Sequence, residues 1–186
     1  TYPDSFSQMI DIILIEPENS GNIGACARVM KNFGFTSLVL VAPKRKHLSD
    51  EALARAKHAG DVLRKAKVSG FSCLENYDTL VATTAKTGSD YNIPRSPLTP
   101  KEFAKKVGPK EKTGLVIGRE GIGLTNDEIK RCDLTVSIPA SEGYPTLNIS
   151  HALAIILYEL SDAKGGDKKI TPASKKDKEV LFSYID

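Results

Sequence analysis

Three segments of this 186-residue chain gather polar side chains at spacings that could do chemistry. The first is Glu16-Pro-Glu-Asn-Ser-Gly-Asn-Ile-Gly-Ala-Cys-Ala-Arg28, where Asn22 stands at a helix start and Arg28 follows six residues on, somewhat under two turns away. An asparagine at that place either caps the helix or meets a ligand, and an arginine offers a planar fork for phosphate or carboxylate oxygens. The second is Gly118-Arg-Glu-Gly-Ile-Gly-Leu124, with three glycines in six residues. Glycines let a backbone approach a ligand closely or take a positive φ. Neither phosphate-loop pattern fits, since the spacing is not Gly-x-Gly-x-x-Gly and no Gly-Lys-Ser/Thr follows. A plain tight turn would explain the glycines, but Arg119 and Glu120 directly after an apolar strand are out of place in a purely structural bend. The third runs Ile138-Pro-Ala-Ser-Glu-Gly-Tyr-Pro-Thr-Leu-Asn148 into an apolar helix, whose N-cap would be Thr146 or Asn148. Hydrolytic machinery is missing: no histidine pairs with a serine or cysteine in a known motif, and His47, His58 and His151 lack metal-ligand spacing. No metal site is predicted.

The elements that must hold these segments are legible in outline. Residues 11–15 and 37–42 read as short buried strands, and between them Ile23, Ala27, Met30 and Phe33 recur at helical spacing, closed by Gly34 as a C-cap. Asn22 is the expected cap of that helix. Residues 79–84, 114–117 and 134–138 are three further strands, β-branched and bounded by turn residues. Residues 49–56 read as a helix capped by Ser49. Ser72 with Glu75, and Thr125 with Glu128, have capping-box spacing, so helices are expected near Cys73 and Asn126. Residues 148–160 form the strongest helix, with Ile149, Leu153, Ile156, Leu157 and Leu160 on one stripe. Strands alternating with helices imply an α/β fold around a mostly parallel sheet, beyond whose carboxyl strand ends ligands bind.

Composition narrows the class. The chain has 26 Lys+Arg against 23 Asp+Glu, a net charge of +3, and is 40% hydrophobic, close to the globular average. No apolar run approaches the roughly 20 residues of a bilayer crossing, and residues 1–15 lack a signal pattern, so a cytoplasmic protein without a membrane partner is expected. Cys26, Cys73 and Cys132 form no CxxC pair and are expected to be buried or idle. The charge is uneven: residues 44–67 hold eight basic and three acidic residues, and residues 101–112 hold five lysines and two glutamates. Either stretch is a solvated helix face or a nucleic-acid contact. Residues 163–186 read as a basic linker and the beginning of a C-terminal extension that looks cut short, leaving residues 1–162 as one domain.

In order and spacing, Asn22-Ile-Gly-Ala-Cys-Ala-Arg28, Gly118-Arg-Glu-Gly-Ile-Gly-Leu124 and Thr146-Leu-Asn-Ile-Ser150 resemble the three motifs of the TrmH-like branch of the SPOUT RNA 2'-O-methyltransferases. The resemblance covers about residues 11–160. Within that branch, Ile-Glu-Pro-Glu-Asn-Ser-Gly-Asn-Ile-Gly and Tyr-Pro-Thr-Leu-Asn look most like the TrmJ subfamily, which methylates the ribose of tRNA nucleotide 32. The resemblance implies a SPOUT-type parallel sheet flanked by helices with a C-terminal deep trefoil knot, a homodimer, and S-adenosylmethionine as methyl donor. Carried over position by position, it implies that Thr83, Thr84, Ala85, Gly118, Ile138, Pro145, Thr146 and Leu147 hold the cofactor. Arg28, Asn22, Glu120, Asn148 and Thr146 match the family's catalytic positions. Many members begin the third motif with serine, where this chain has Thr146, which keeps the hydroxyl and adds a stiffening methyl.

Arginine is a poor general base, its pKa exceeding about 12, so Arg28 is expected to grip an RNA phosphate or stabilise a developing alkoxide, with a deprotonated base as the alternative. Glu120 would orient Arg28 or Asn148, or hold its loop through backbone amides. Beside Arg28, the cations expected to meet tRNA are Lys44, Arg45, Lys46, Arg55 and Lys57. Two other readings remain at this level: a ribosomal-RNA methyltransferase of the same branch, and an RNA- or nucleotide-binding module without catalysis.

Overall fold

Runs of Ile, Leu and Val too short for helices, bounded by turn residues, become the buried strands of one parallel sheet. The computed structural model describes residues 9–85, 97–107 and 112–164. Its strands are β1 (Ile10–Ile15), β2 (Leu38–Val41), β3 (Lys67–Ser69), β4 (Thr79–Thr84), β5 (Thr113–Ile117) and β6 (Leu134–Ser137). They lie in the order β3-β2-β1-β5-β4-β6, every pairing parallel. The helices are α1 (Ser20–Asn32), α2 (Asp50–Ala56), α3 (Gly60–Lys65), α4 (Pro100–Lys106), α5 (Asn126–Lys130) and α6 (Ile149–Lys164).

Side chains alternate across the sheet as the strand period requires. Ile12, Leu14, Leu38, Leu40, Leu115 and Val136 face one layer, where they meet Ile23 and Met30 of α1, Phe103 of α4 and the α6 stripe. Ile13, Ile15, Val39, Val41, Leu80 and Val116 face the other, thinner layer, closed by Ile129 of α5 and by Leu74 and Tyr77. All five stripe residues of α6 are buried, and α6 packs against α4 and α1. Both sheet faces are therefore covered, and the polar loops have only the strand ends to occupy.

Local signals held in several places. Gly34 takes φ +77 behind α1, with the Phe35 amide donating to Met30 O and the Gly34 amide to Lys31 O. Ser49 caps α2, and Thr125 with Glu128 forms a complete capping box on α5. Two expectations need correction. The cap of α1 is Asn19, which accepts from the Asn22 amide, so Asn22 lies in the first turn with its own side chain released. Between Ser69 of β3 and Thr79 of β4 the chain makes a 3-10 turn over Phe71–Asn76 with no side-chain cap, so Ser72 and Glu75 do not form their box. Strand β3 and helices α3 and α4 were not anticipated. The linker expectation for residues 163–186 falls almost wholly outside the described residues.

Candidate functional site

The carboxyl ends of β4, β5 and β6 and the start of α6 enclose a cleft of about 310 Å³. Its floor is apolar, made by Ile117, Ile129, Val136 and Ile156, and its walls are the three loops. Thr83, Thr84 and Ala85 follow β4; Gly118 follows β5; Ile138, Pro145, Thr146 and Leu147 follow β6. All eight residues expected at a cofactor thus stand around one cavity. Sequence reading had missed the floor, because Ile129, Ile156 and Ala152 look like ordinary stripe residues of α5 and α6.

The glycines of the middle loop have separate reasons. A Cβ on Gly118 would stand 2.2 Å from the Gly123 carbonyl carbon and 2.3 Å from the Leu124 nitrogen, so only glycine fits. Gly123 takes φ +69, where a side chain is strained. The turn between them is closed by the Arg119 amide donating to Gly123 O at 3.2 Å and the Gly123 amide donating back to Arg119 O at 3.0 Å.

Consecutive residues of this loop reach in different directions. Glu120 accepts from the Glu18 amide at 3.0 Å, the Asn19 amide at 3.1 Å and Asn22 Nδ2 at 3.2 Å, tying the loop to the start of α1. Asn22 Oδ1 in turn accepts from Asn148 Nδ2 at 3.1 Å, and Asn148 Oδ1 accepts from the Ser150 amide at 2.9 Å, which caps α6. Three of the expected catalytic residues, Glu120, Asn22 and Asn148, are therefore one hydrogen-bonded chain at the cleft edge, while Thr146 lines the cleft itself. Arg28 stands apart: it is exposed on α1, outside the cleft lining, and makes no hydrogen bond or ion pair among the described residues. Six helical positions turn it some 120° from the Asn22 direction. Of the roles open to Glu120, the backbone-amide contacts are formed, Asn148 is reached only through Asn22, and no Arg28 contact is formed among the described residues.

Arg119, which sequence reading noted without a role, is the more deeply engaged arginine. Its guanidinium is 11% exposed and forks onto Glu128 at 3.0 and 2.9 Å, while its Nε donates to Glu16 Oε2 at 2.7 Å. Glu16, at the end of β1 with φ +42, shares its other oxygen with Lys44 Nζ at 2.8 Å. The hydrogen bonds from Lys44 and then Arg119 hold the Glu16 carboxyl below the ordinary 4.5. Burial works against ionising Glu128, but its bonds to Arg119 and Thr125 outweigh that and lower it too. The same contacts raise Arg119. The signal available in advance was the Arg119/Glu128 spacing beside a capping box, which names no partner by itself.

The expected RNA cations lie on the adjoining surface. The Lys44 amide donates to Pro17 O at 3.1 Å, Arg45 Nε to Glu18 O at 3.3 Å, and Ser20 Oγ to Lys46 O at 3.3 Å. This loop after β2 is thereby laid against residues 16–20, with its three basic side chains exposed. Arg55 and Lys57 are exposed farther along, at and just beyond the end of α2. In the second basic stretch, Lys101, Lys105 and Lys106 are exposed on α4, residues 108–111 lie outside the described residues, and Lys112 sits over the Tyr77 ring at the amino end of β5, away from the cleft. Cys26 is fully buried, which raises its thiol pKa, and burial pushes Cys132 up to about 12, so neither is a ready thiolate. Among the described residues no group of three or more His, Cys, Asp or Glu could hold a metal, and no helix is long and apolar enough to cross a membrane.

Known proteins resemble this chain in sequence and in fold. The profile of the SpoU rRNA Methylase family matches residues 9–158. The tRNA (cytidine-2'-O-)-methyltransferase TrmJ of Methanocaldococcus jannaschii is 46% identical over 181 residues, covering 94% of this chain and 78% of that protein. The tRNA (cytidine/uridine-2'-O-)-methyltransferase TrmJ of Yersinia pestis (strain Pestoides F) is 33% identical over 182 residues, covering 95% of this chain and 69% of that protein. Among solved structures, a probable methylase family protein from Haemophilus influenzae Rd KW20 superimposes with a TM-score of 0.79 at 33% identity, covering 95% of this chain and 77% of that one.

Proposed function

The chain belongs to the SpoU rRNA Methylase family, and on that premise we propose that it is an S-adenosylmethionine-dependent tRNA ribose 2'-O-methyltransferase acting on nucleotide 32 of the anticodon loop. The observation that carries this reading is the convergence of three loops on one cleft, with the Glu120, Asn22 and Asn148 chain along its edge. Relatives named for cytidine and for cytidine or uridine support a pyrimidine at the methylated position.

The cleft residues fit the cofactor. An apolar floor suits an adenine face, glycine-rich and strand-end backbone offers hydrogen bonds to its edge, and the space that a Cβ on Gly118 would need is filled by the turn itself. When bound, S-adenosylmethionine supplies an electrophilic methyl on its sulfonium sulfur. This chain's own residues then hold the ribose hydroxyl in line with that methyl, which is chiefly a matter of positioning. Asn22 and Asn148 fix the edge against which the ribose lies, Glu120 keeps both α1 and the loop in register, and Thr146 lines the cleft. Arg28, exposed and without a partner among the described residues, is the cation held for the RNA: its guanidinium grips the adjoining phosphate or offsets the charge developing on the 2'-oxygen.

The same proposal carries a deep trefoil knot, supported by the way the segment after β6 returns to seat α6 among the loops of β4 and β5. It carries a homodimer, supported by Ile155 and Tyr158, 38% and 54% exposed on the outer face of α6, with Tyr158 edge-on to Phe33; sedimentation equilibrium reads this directly. Residues 1–162 form the catalytic domain, and a tRNA substrate places it in the cytoplasm.

The decisive experiment is nucleoside mass spectrometry of unmodified tRNA after incubation with the protein and S-adenosylmethionine, with fragment mapping. A single 2'-O-methylpyrimidine at nucleotide 32 is expected. Methylation of ribosomal RNA in its place would move the substrate class, and no transfer to any RNA would leave only a binding module.

A further inference from the structure

Resting on that reading of the cleft and the basic loop, we infer that Glu16 is a positioning residue that couples cofactor binding to RNA binding by dividing one carboxylate between the two sites. Its Oε2 takes Arg119, whose backbone and side chain both clamp the 119–123 turn that walls the cleft, since Arg119 Nη1 also donates to Gly123 O at 3.3 Å. Its Oε1 takes Lys44, the first cation of the loop that follows β2. Glu128 completes the set from α5, on the far side of Arg119.

The two halves of this arrangement differ in how easily they break. Lys44 is 54% exposed, and an ion pair so wet is worth little and exchanges readily. Arg119 is 11% exposed between two carboxylates, Glu16 at 20% and Glu128 at 16%, and leaving either without its partner is costly. A backbone phosphate arriving at the basic loop therefore competes with Glu16 for Lys44, not for Arg119. Once Lys44 turns to the phosphate, Arg119 has the Glu16 carboxylate to itself and the 119–123 turn is held more firmly. RNA then tightens the cofactor cleft, and by linkage a filled cleft favours the state in which Lys44 is given up to RNA. Glu16 touches neither the reacting methyl nor the ribose. Its backbone also carries the φ of +42 that turns the chain from β1 toward α1, so it holds that corner in addition to the two cations.

The test measures the dissociation constant of S-adenosylhomocysteine by calorimetry, with and without a saturating unmodified tRNA transcript, for wild type and for Glu16→Gln. Wild type should bind it about threefold or more tightly with tRNA present, the modest range of ordinary coupling. In Glu16→Gln the ratio should fall to about one, while tRNA affinity at low salt rises and its salt dependence steepens by roughly one phosphate contact as Lys44 is released. Lys44→Met is the second variant: it should bind S-adenosylhomocysteine without tRNA at least as tightly as wild type and show no further tightening with tRNA. An unchanged coupling ratio in either variant overturns the inference, as does a Glu16→Gln variant that loses both affinities while Lys44→Met keeps the wild-type ratio. If wild type binds neither ligand, the proposed function itself fails; if it binds both and transfers methyl groups while the ratio is one throughout, only the coupling fails.

Discussion

Two charged loops leave the strand ends on either side of β1 and do opposite things with their charge. The loop of residues 118–124 after β5 turns its arginine inward, to 11% exposure between two carboxylates, and its glutamate onto backbone amides. The loop after β2 leaves Lys44, Arg45 and Lys46 in water, with only Lys44 paired to a carboxylate among the described residues. A charge held out of water cannot move without stranding its partner, so it fixes geometry; a charge left in water is cheap to move, so it sets affinity for a polyanion. In the proposed function, cofactor recognition and RNA recognition would draw on these two different properties of the same residue types.

Breaking the first loop should have the largest effect. Gly118→Ala forces a methyl into backbone at 2.2 Å, and is expected to cost about 2 kcal/mol of stability as overpacking and to lower methyl transfer about 100-fold through misplacement of the cleft wall. A thermal melt together with a methyl-transfer assay reads both, and wild-type stability and transfer in this variant would remove the close-packed wall from the account.

Acid separates the loops next. Glu16 and Glu128 have lowered pKa values in the folded protein, so the stabilisation they give is complete above the ordinary 4.5 and is lost as the pH falls through their lower folded values. Cofactor affinity without RNA should therefore hold from neutrality down to that point and then fall about tenfold below it, provided circular dichroism shows the fold intact. Among the described residues Arg45 and Lys46 of the β2 loop pair with neither carboxylate, so binding of a short RNA should not fall alongside. A parallel decline of both would mean that the two loops are not distinct in the way described.

The smallest effect is expected on the wet side. Arg45→Ala with Lys46→Ala should weaken tRNA binding severalfold and reduce the slope of log affinity against log salt by about 1.5, near 0.7 to 0.9 for each lost phosphate contact. Fluorescence anisotropy over a salt series measures it. An unchanged slope would assign these cations to an ordinary solvated surface.

Much of the molecule was readable in advance because its signals are local. Leu80, Val81 and Ala82 of the expected strand 79–84 and the stripe from Ile149 to Leu160 are buried, and the capping box of Thr125 and Glu128 is closed. The misses are local too. Thr99-Pro-Lys-Glu102 carries a complete capping box with proline at the first helical position, yet the lysines around it drew attention as charge and α4 was overlooked. Asn22 has the type and place of a cap because it precedes Ile23, whereas Asn19 wins by starting the helix a turn earlier. β3 is three residues, Lys-Val-Ser, at a sheet edge and has too little period to detect.

By itself the sequence determined which segments line and edge the cleft, since their glycines, asparagines and strand-end apolar residues are marked by kind and spacing. Tertiary structure alone decided who touches whom. Glu120 meets Asn22 across 98 positions and Asn148 meets Asn22 across 126, and no periodicity within a segment reports a contact made between segments. The same holds for Arg119. Its charge was plain in the sequence, but its role follows from two carboxylates, 103 and 9 positions away, that only the packed sheet and its low-dielectric edge bring within hydrogen-bonding distance.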